Sequence, residues 1–266
     1  MQVSYSRIDC YKKCPYLYKL RYLDRLDTLP SDDPANPLIL GSALHKAIET
    51  DVQTAIEEYY KSYPVITDQH ITEAMKLEYW LPKIKEVLPE GEHEVEIKND
   101  DFIGFMDLLT PIDTLTTIDY DLNDNYEWFD LYDFKYANSL VNYESSKQLH
   151  VYKYFFEKLN PTKRINKMYF MLVPKCNLRI KYKNKTNPRD ETLEEFRRRI
   201  LDDLKTKEIE FLEVKYDPNK VIEFMEDVKH VVEADVFPKS ETRLCDYCNF
   251  KQYCQEGIDY DIIRKG

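Results

Sequence analysis

Residues 126–135 read Tyr126-Glu127-Trp128-Phe129-Asp130-Leu131-Tyr132-Asp133-Phe134-Lys135. Aromatic residues dominate the stretch and neither Gly nor Pro interrupts it, so it predicts a β-strand. In a strand, residues two apart project from one face, which places Asp133 and Lys135 side by side. Carboxylate oxygens suit a hard divalent cation. Such a cation lowers the pKa of a bound water and offsets charge on a reacting phosphate, and a neighbouring ammonium adds to that stabilisation. Alone, Asp-x-Lys also describes an ordinary surface ion pair on an edge strand.

Working outward, residues 93–98 and 101–110 predict two strands around the turn Lys98-Asn99-Asp100, with Asp107 ending the second after Gly104. A third strand is expected at 114–120, followed by an acidic loop from Asp119 to Asp124. Downstream come a helix over 142–159, a strand pair at 165–173 and 178–183, a helix at 190–206, a short strand at 208–215 and a helix at 217–235. Upstream, residues 4–24 read as a helix broken at Pro15. Residues 28–37 read as a loop, and 40–62 and 68–87 have helical apolar spacing. Helices first, then strands, then helices against strands predict an α/β domain with a mixed sheet and a helical cap. Residues 1–266 are expected to form one domain: a helical N-terminal segment (1–90), a core (91–215), and a last helix and tail (216–266).

The chain has 266 residues, 43% of them hydrophobic, enough for a sizeable core. It contains no apolar run of about 18 residues or more, and Met1-Gln2-Val3-Ser4-Tyr5 has no secretory pattern, so a cytoplasmic location off the membrane is expected. No Gly-x-x-x-x-Gly-Lys-Ser/Thr stretch exists, which excludes a P-loop motor in this chain. The net charge of −11 speaks weakly against a nucleic-acid partner. Yet Lys163, Arg164, Lys167, Lys175, Arg179, Lys181, Lys183, Lys185 and Arg189 follow one another with no Asp or Glu between them. A basic strip of this kind holds phosphate locally, or is a solvated surface.

Two flanking patterns add weight to Asp107, Asp133 and Lys135. Gly41-Ser42-Ala43-Leu44-His45 opens a helix upstream, and Gln148 and Tyr152 are four apart on a downstream helix, hence on one face. Singly, His45 reads equally as a core histidine, and Gln148 and Tyr152 as helix surface against the sheet. In this order the residues resemble the RecB-like and AddB-like nucleases of the PD-(D/E)XK superfamily. The resemblance implies a restriction-endonuclease-like core with helices flanking a mixed central sheet. It implies His45, Asp107 and Asp133 as ligands of Mg²⁺ or Mn²⁺, and Lys135 as the catalytic lysine. Gln148 and Tyr152 would support the site or contact DNA. Some members carry a further glutamate on the preceding strand, a place open to Glu96 or Glu94.

Of six cysteines, Cys245, Cys248 and Cys254 crowd together and Cys10 and Cys14 lie near the start. In a cytosolic chain such clusters favour metal ligation over disulfides. Zinc and iron–sulfur sites both draw on four such ligands, and the thiols alone do not separate them. Cys14 is followed by Pro15, and its surroundings resemble the first segment of the iron–sulfur branch of the same nucleases, which includes CRISPR-associated adaptation exonucleases. That resemblance implies a [4Fe–4S] cluster on Cys14, Cys245, Cys248 and Cys254, with Cys10 the rival for the first place. Cys176, in an apolar strand context, reads as a buried spectator.

The resemblance thus implies a metal-dependent DNA exonuclease acting on single strands or DNA ends in recombination, repair or replication. A helicase, recombinase or single-strand-binding protein is the expected partner. The rival readings are a non-catalytic DNA-binding module of the same fold, a zinc-stabilised structural protein, and an RNA nuclease.

Overall fold

The computed structural model describes residues 2–29, 32–113, 125–186, 189–259 and 262–264. The strand expected at 114–120 and the loop to Asp124 lie outside them. The chain begins with α1 (Tyr5–Lys13), capped by Ser4. Cys14 ends that helix and caps α2 (Pro15–Tyr18): its Sγ accepts the Leu17 N–H at 3.5 Å, and Pro15 takes the first-turn position where no N–H is needed. A π-helical turn, Lys19–Leu23, leads to β1 (Leu26–Thr28). The helical stretch expected at 40–62 is two helices, α3 (Pro37–Glu49) and α4 (Val52–Lys61). Asp51 starts the second by accepting the Thr54 N–H at 2.9 Å. α5 (Asp68–Val87) follows.

The core elements are β2 (Glu92–Lys98), β3 (Ile103–Pro111), β4 (Glu127–Ala137), α6 (Gln148–Leu159), β5 (Lys163–Pro174), α7 (Leu193–Leu204), β6 (Glu210–Glu213) and α8 (Pro218–Val232). α9 (Lys251–Glu256) and β7 (Ile262–Arg264) follow towards the C-terminus. The sheet order is β2-β3-β4-β5-β6. β4 and β5 are parallel, joined by α6, and the other neighbours are antiparallel. This is the mixed sheet flanked by helices that the pattern predicts.

Three expectations need correction. α6 begins at Gln148, not at 142, because residues 141–143 form a 3-10 turn. Asp107 lies inside β3 and does not end it. Residues 178–183 are irregular, and the edge beside β5 is taken by β6, paired over Tyr169–Leu172. Leu178, Ile180 and Tyr182 alternate with Arg179, Lys181 and Lys183 as in a strand, but β6 holds the sheet edge, and the Lys181 and Lys183 N–H groups bond instead to the carboxylates of Glu191 and Asp190.

Each sheet face has its own core. On one side Leu108, Phe134, Met171 and Val173 pack against Leu44 of α3, Trp80 of α5 and Ile200 of α7. On the other, Leu109, Leu131 and Phe170 meet Phe155 of α6, Phe224 of α8 and Ile8 of α1. Removing such side chains from water contributes roughly 1.5–3 kcal/mol each. A smaller cluster of Leu20, Leu26 and Phe250 lies by the two-stranded sheet of β1 and β7.

Candidate active site

β3 and β4 pair from Pro111–Phe129 only as far as Leu108–Tyr132. One residue further stand Asp107 and Asp133, and there the ladder ends. The N–H and C=O of one strand residue point the same way, so Phe134 turns both towards the place β3 has left. Side chains take both. Asp107 Oδ2 accepts the Phe134 N–H at 2.6 Å, and His45 Nε2 lies 3.1 Å from the Phe134 carbonyl oxygen.

A carbonyl only accepts, so Nε2 carries the ring proton and Nδ1 keeps its lone pair. Nδ1 lies 3.6 Å from Asp107 Oδ1 and 4.0 Å from Glu94 Oε1, too far for hydrogen bonds. Burial pulls the His45 imidazole below its ordinary pKa against the opposing pull of Asp133, so it is neutral at pH 7. One ligand atom from each of His45, Glu94 and Asp107 lies within 4.8 Å of the others, the one such set of three among the described residues. Burial, then the Asp133 charge, pushes the Asp107 carboxyl well above the ordinary carboxylate range, although the Phe134 N–H opposes them. A lone pair and two carboxylate oxygens facing one another are a donor set for a divalent cation.

Glu94 stands across from Asp107, between the pairs His93–Leu108 and Val95–Met106. Its φ is +51°, a left-handed conformation that costs about 1–2 kcal/mol in a side-chain-bearing residue. Glu96, the other candidate, faces Phe105 across the strands and has Lys98 Nζ 3.8 Å away. The geometry therefore brings Glu94, and not Glu96, to His45 and Asp107.

Asp133 is 1% exposed. Its Oδ1 accepts from Gln148 Nε2 at 2.6 Å. Its Oδ2 lies 2.5 Å from Lys135 Nζ, but that buried oxygen has no well-aligned hydrogen-bond donor. Lys135 Nζ also donates to Gln148 Oε1 at 3.2 Å. Burial works to lower the Lys135 pKa, yet the Asp133 carboxylate outweighs it and the ammonium stays charged. Gln148 reaches Tyr152 Oη at 3.3 Å. Opposite that ring, Gly104 is required: a Cβ there would stand 2.9 Å from Tyr152 Cε1. All six residues read from the sequence thus meet at one place. Asp133 reaches His45 and Asp107 electrostatically without joining the tight set of three.

Two cavities open on this cluster, one of about 790 Å³ on the His45 and Glu94 side and one of about 760 Å³ on the Gln148 and Tyr152 side. Lys135 and Tyr143 line both. Tyr143, whose ring centre is 5.4 Å from Lys135 Nζ, went unnoticed in the sequence because no spacing links it to the motif.

Away from this site, Cys14, Cys245, Cys248 and Cys254 line a separate cavity of about 540 Å³, walled by Leu17, Leu20 and Phe250. Cys10 and Cys176 are buried in the two cores instead. Burial raises the Cys248 and Cys254 thiols, and Cys14 and Cys245 add to the rise in both. No three of these sulfurs lie within 4.8 Å of one another. Tetrahedral zinc, with bonds of about 2.3 Å, needs sulfurs about 3.8 Å apart.

A family model for the PD-(D/E)XK nuclease superfamily matches residues 2–255. The chain belongs to the PD-(D/E)XK nuclease superfamily. Nucleases of this superfamily use divalent metals, which agrees with the donor set of His45, Glu94 and Asp107. A search of curated proteins returns no match. The PD-(D/E)XK core is the five-stranded sheet, with Asp133-Phe134-Lys135 near the end of β4. No helix among the described residues is long and apolar enough to cross a membrane.

Proposed function

We propose that this protein is a divalent-metal-dependent DNA exonuclease acting on single strands or DNA ends. The observation that carries the reading is the His45 Nδ1 lone pair held among the carboxylates of Glu94 and Asp107, with Asp133 and Lys135 alongside. His45, Glu94 and Asp107 would hold Mg²⁺ or Mn²⁺, with Asp133, its Oδ2 paired to Lys135, adjoining. When bound, the ion supplies an acidified water and offsets phosphate charge. Lys135 orients the attacking water and stabilises negative charge on the phosphate. Gln148 fixes both Lys135 and Asp133, and Tyr152 buttresses Gln148.

Exonuclease action rests on His45, which resembles the histidine of exonucleolytic relatives. Single strands suit the two cavities, whose walls include Tyr5 and Tyr143, aromatic side chains on which bases can stack. β5 runs parallel to β4, with Lys135 beside Leu172, so the basic stretch after Pro174 leaves the sheet at the Lys135 end. Lys181, Lys183 and Lys185 there are exposed and would follow the DNA backbone. Residues 1–266 act as one domain in the cytoplasm, in recombination, repair or replication. A helicase, recombinase or single-strand-binding protein supplies what a chain without a P-loop lacks.

We read the four-cysteine cavity as the seat of a [4Fe–4S] cluster on Cys14, Cys245, Cys248 and Cys254. The support for this reading is that all four thiols line one cavity, although no three of the sulfurs lie within 4.8 Å of one another. Such a group ties residues near the start to the tail.

The decisive assay follows degradation of end-labelled single- and double-stranded DNA in Mn²⁺, comparing the parent with Asp133→Ala and Lys135→Ala. Products shortened from one end by the parent, and lost in both variants, are expected. Equal activity in all three proteins would overturn the assignment.

A further inference from the structure

We infer that Lys12 and Lys147 form a binding station for a DNA backbone phosphate beside the active site, and that Asp227 occupies it in the free protein. The inference rests on the nuclease reading and adds to it a second point of contact with the strand. Lys12 belongs to α1, Lys147 caps α6, and Asp227 lies on α8. Both ammonium groups converge on the same carboxylate oxygen: Asp227 Oδ2 is 3.0 Å from Lys12 Nζ and 2.9 Å from Lys147 Nζ. Two cations gripping one anionic oxygen reproduce how a phosphate oxygen is held.

The trio lines the same cavity as Lys135, Gln148 and Tyr152. Lys147 directly precedes Gln148, whose amide fixes Asp133, so a phosphate on the station belongs to the strand being cut. The metal-binding side is acidic and repels a polyanion, with Glu94, Asp107 and Asp133 close together. Substrate needs a compensating cationic contact nearby. Asp227 keeps the two lysines from repelling each other until the strand arrives, and Glu223, 3.1 Å from Lys147, assists. Lys12 is half exposed, open to incoming DNA.

The test uses the full chain and a fluorescent single-stranded oligonucleotide. Binding is titrated in chelator at several salt concentrations, and cleavage is timed in Mn²⁺. Lys12→Ala and Lys147→Ala should each lower affinity and reduce the salt slope by about 0.7, so the affinity lost between 50 and 200 mM salt shrinks by roughly 2.6-fold per lysine. KM should rise with kcat little changed. Asp227→Asn should do the opposite and bind roughly two- to fivefold tighter. Lys147→Arg should keep the parental slope, which guards against a misfolded Ala variant. Unchanged slopes in both lysine variants, or weaker binding by Asp227→Asn, would reduce the trio to a structural tie and end the inference alone. A parent that neither binds nor cleaves would overturn the proposed function and this inference together.

Discussion

Gln148 donates to the buried carboxylate of Asp133 at 2.6 Å. Its other amide atom accepts from Lys135 at 3.2 Å, so one side chain sets the spacing of the acid and the base partner on β4. Gln148→Leu removes both bonds while keeping much of the volume. The expected result is a roughly 10–100-fold fall in cleavage rate, as for other residues that orient metal-site groups. The melting temperature in chelator should change much less than the rate.

Asp107 makes the strongest statement about pH. Its folded pKa lies above that of an unfolded aspartate, so the folded chain holds the extra proton. Its effect on stability is therefore unfavourable once ionised: stability drops as pH rises from the unfolded carboxylate value through the raised folded one. Asp107→Asn has no such charge to bury, and its amide oxygen can still accept the Phe134 N–H. In chelator at neutral pH the variant should melt higher than the parent, by roughly 2–4 °C per kcal/mol relieved. Mn²⁺ should raise the melting point of the parent only. A variant that melts lower in chelator would refute this.

His45 titrates the other way. Its pKa is depressed, so the imidazole is neutral throughout the neutral range and is lost as a ligand only on acidification below the ordinary histidine value. Metal affinity measured by calorimetry should owe no loss to His45 near pH 7, and should decline well below about pH 6.5 as the ring protonates. His45→Ala should weaken Mn²⁺ binding while leaving oligonucleotide binding in chelator largely intact.

Gly104 leaves room for the Tyr152 ring. Gly104→Ala pushes a methyl against Tyr152 and Phe102, at a cost of about 1–3 kcal/mol for overpacking. Activity should fall further than stability, because Tyr152 backs Gln148. Combining Gly104→Ala with Tyr152→Leu should recover some of the lost stability, read from denaturant midpoints.

Cys254→Ala removes one of the four thiols around the cavity of about 540 Å³. Anaerobically purified parent should show visible thiolate-to-iron absorption, and the variant should be colourless, with a melting temperature at least several degrees lower. Zinc in stoichiometric amount, with no iron, would replace the cluster assignment.

Much of this architecture was legible from short stretches. The aromatic run ending in Asp133-Phe134-Lys135 specified its strand, and the Pro15 break fell where expected. Local pattern failed where long-range pairing decides. The helix expected from residue 142 starts later, because residues 141–143 form a 3-10 turn and Ser146 accepts the Gln148 N–H where α6 begins. Glu94 and Glu96 are alike in sequence, and only the register against β3, with the positive φ of Glu94, separates them. Lys12, Lys147 and Asp227 come from three distant elements, and no spacing rule joins them.

Pairing of Leu26 with Arg264 has a consequence for synthesis. On a ribosome adding about 5–20 residues per second, β1 must wait on the order of tens of seconds for its partner strand to be made. Throughout that delay Leu20 and Leu26 have no Phe250 to cover them. The nascent chain therefore displays a greasy, thiol-bearing surface that chaperones can hold, and the proposed cluster would have to be loaded after its three C-terminal thiols have been made.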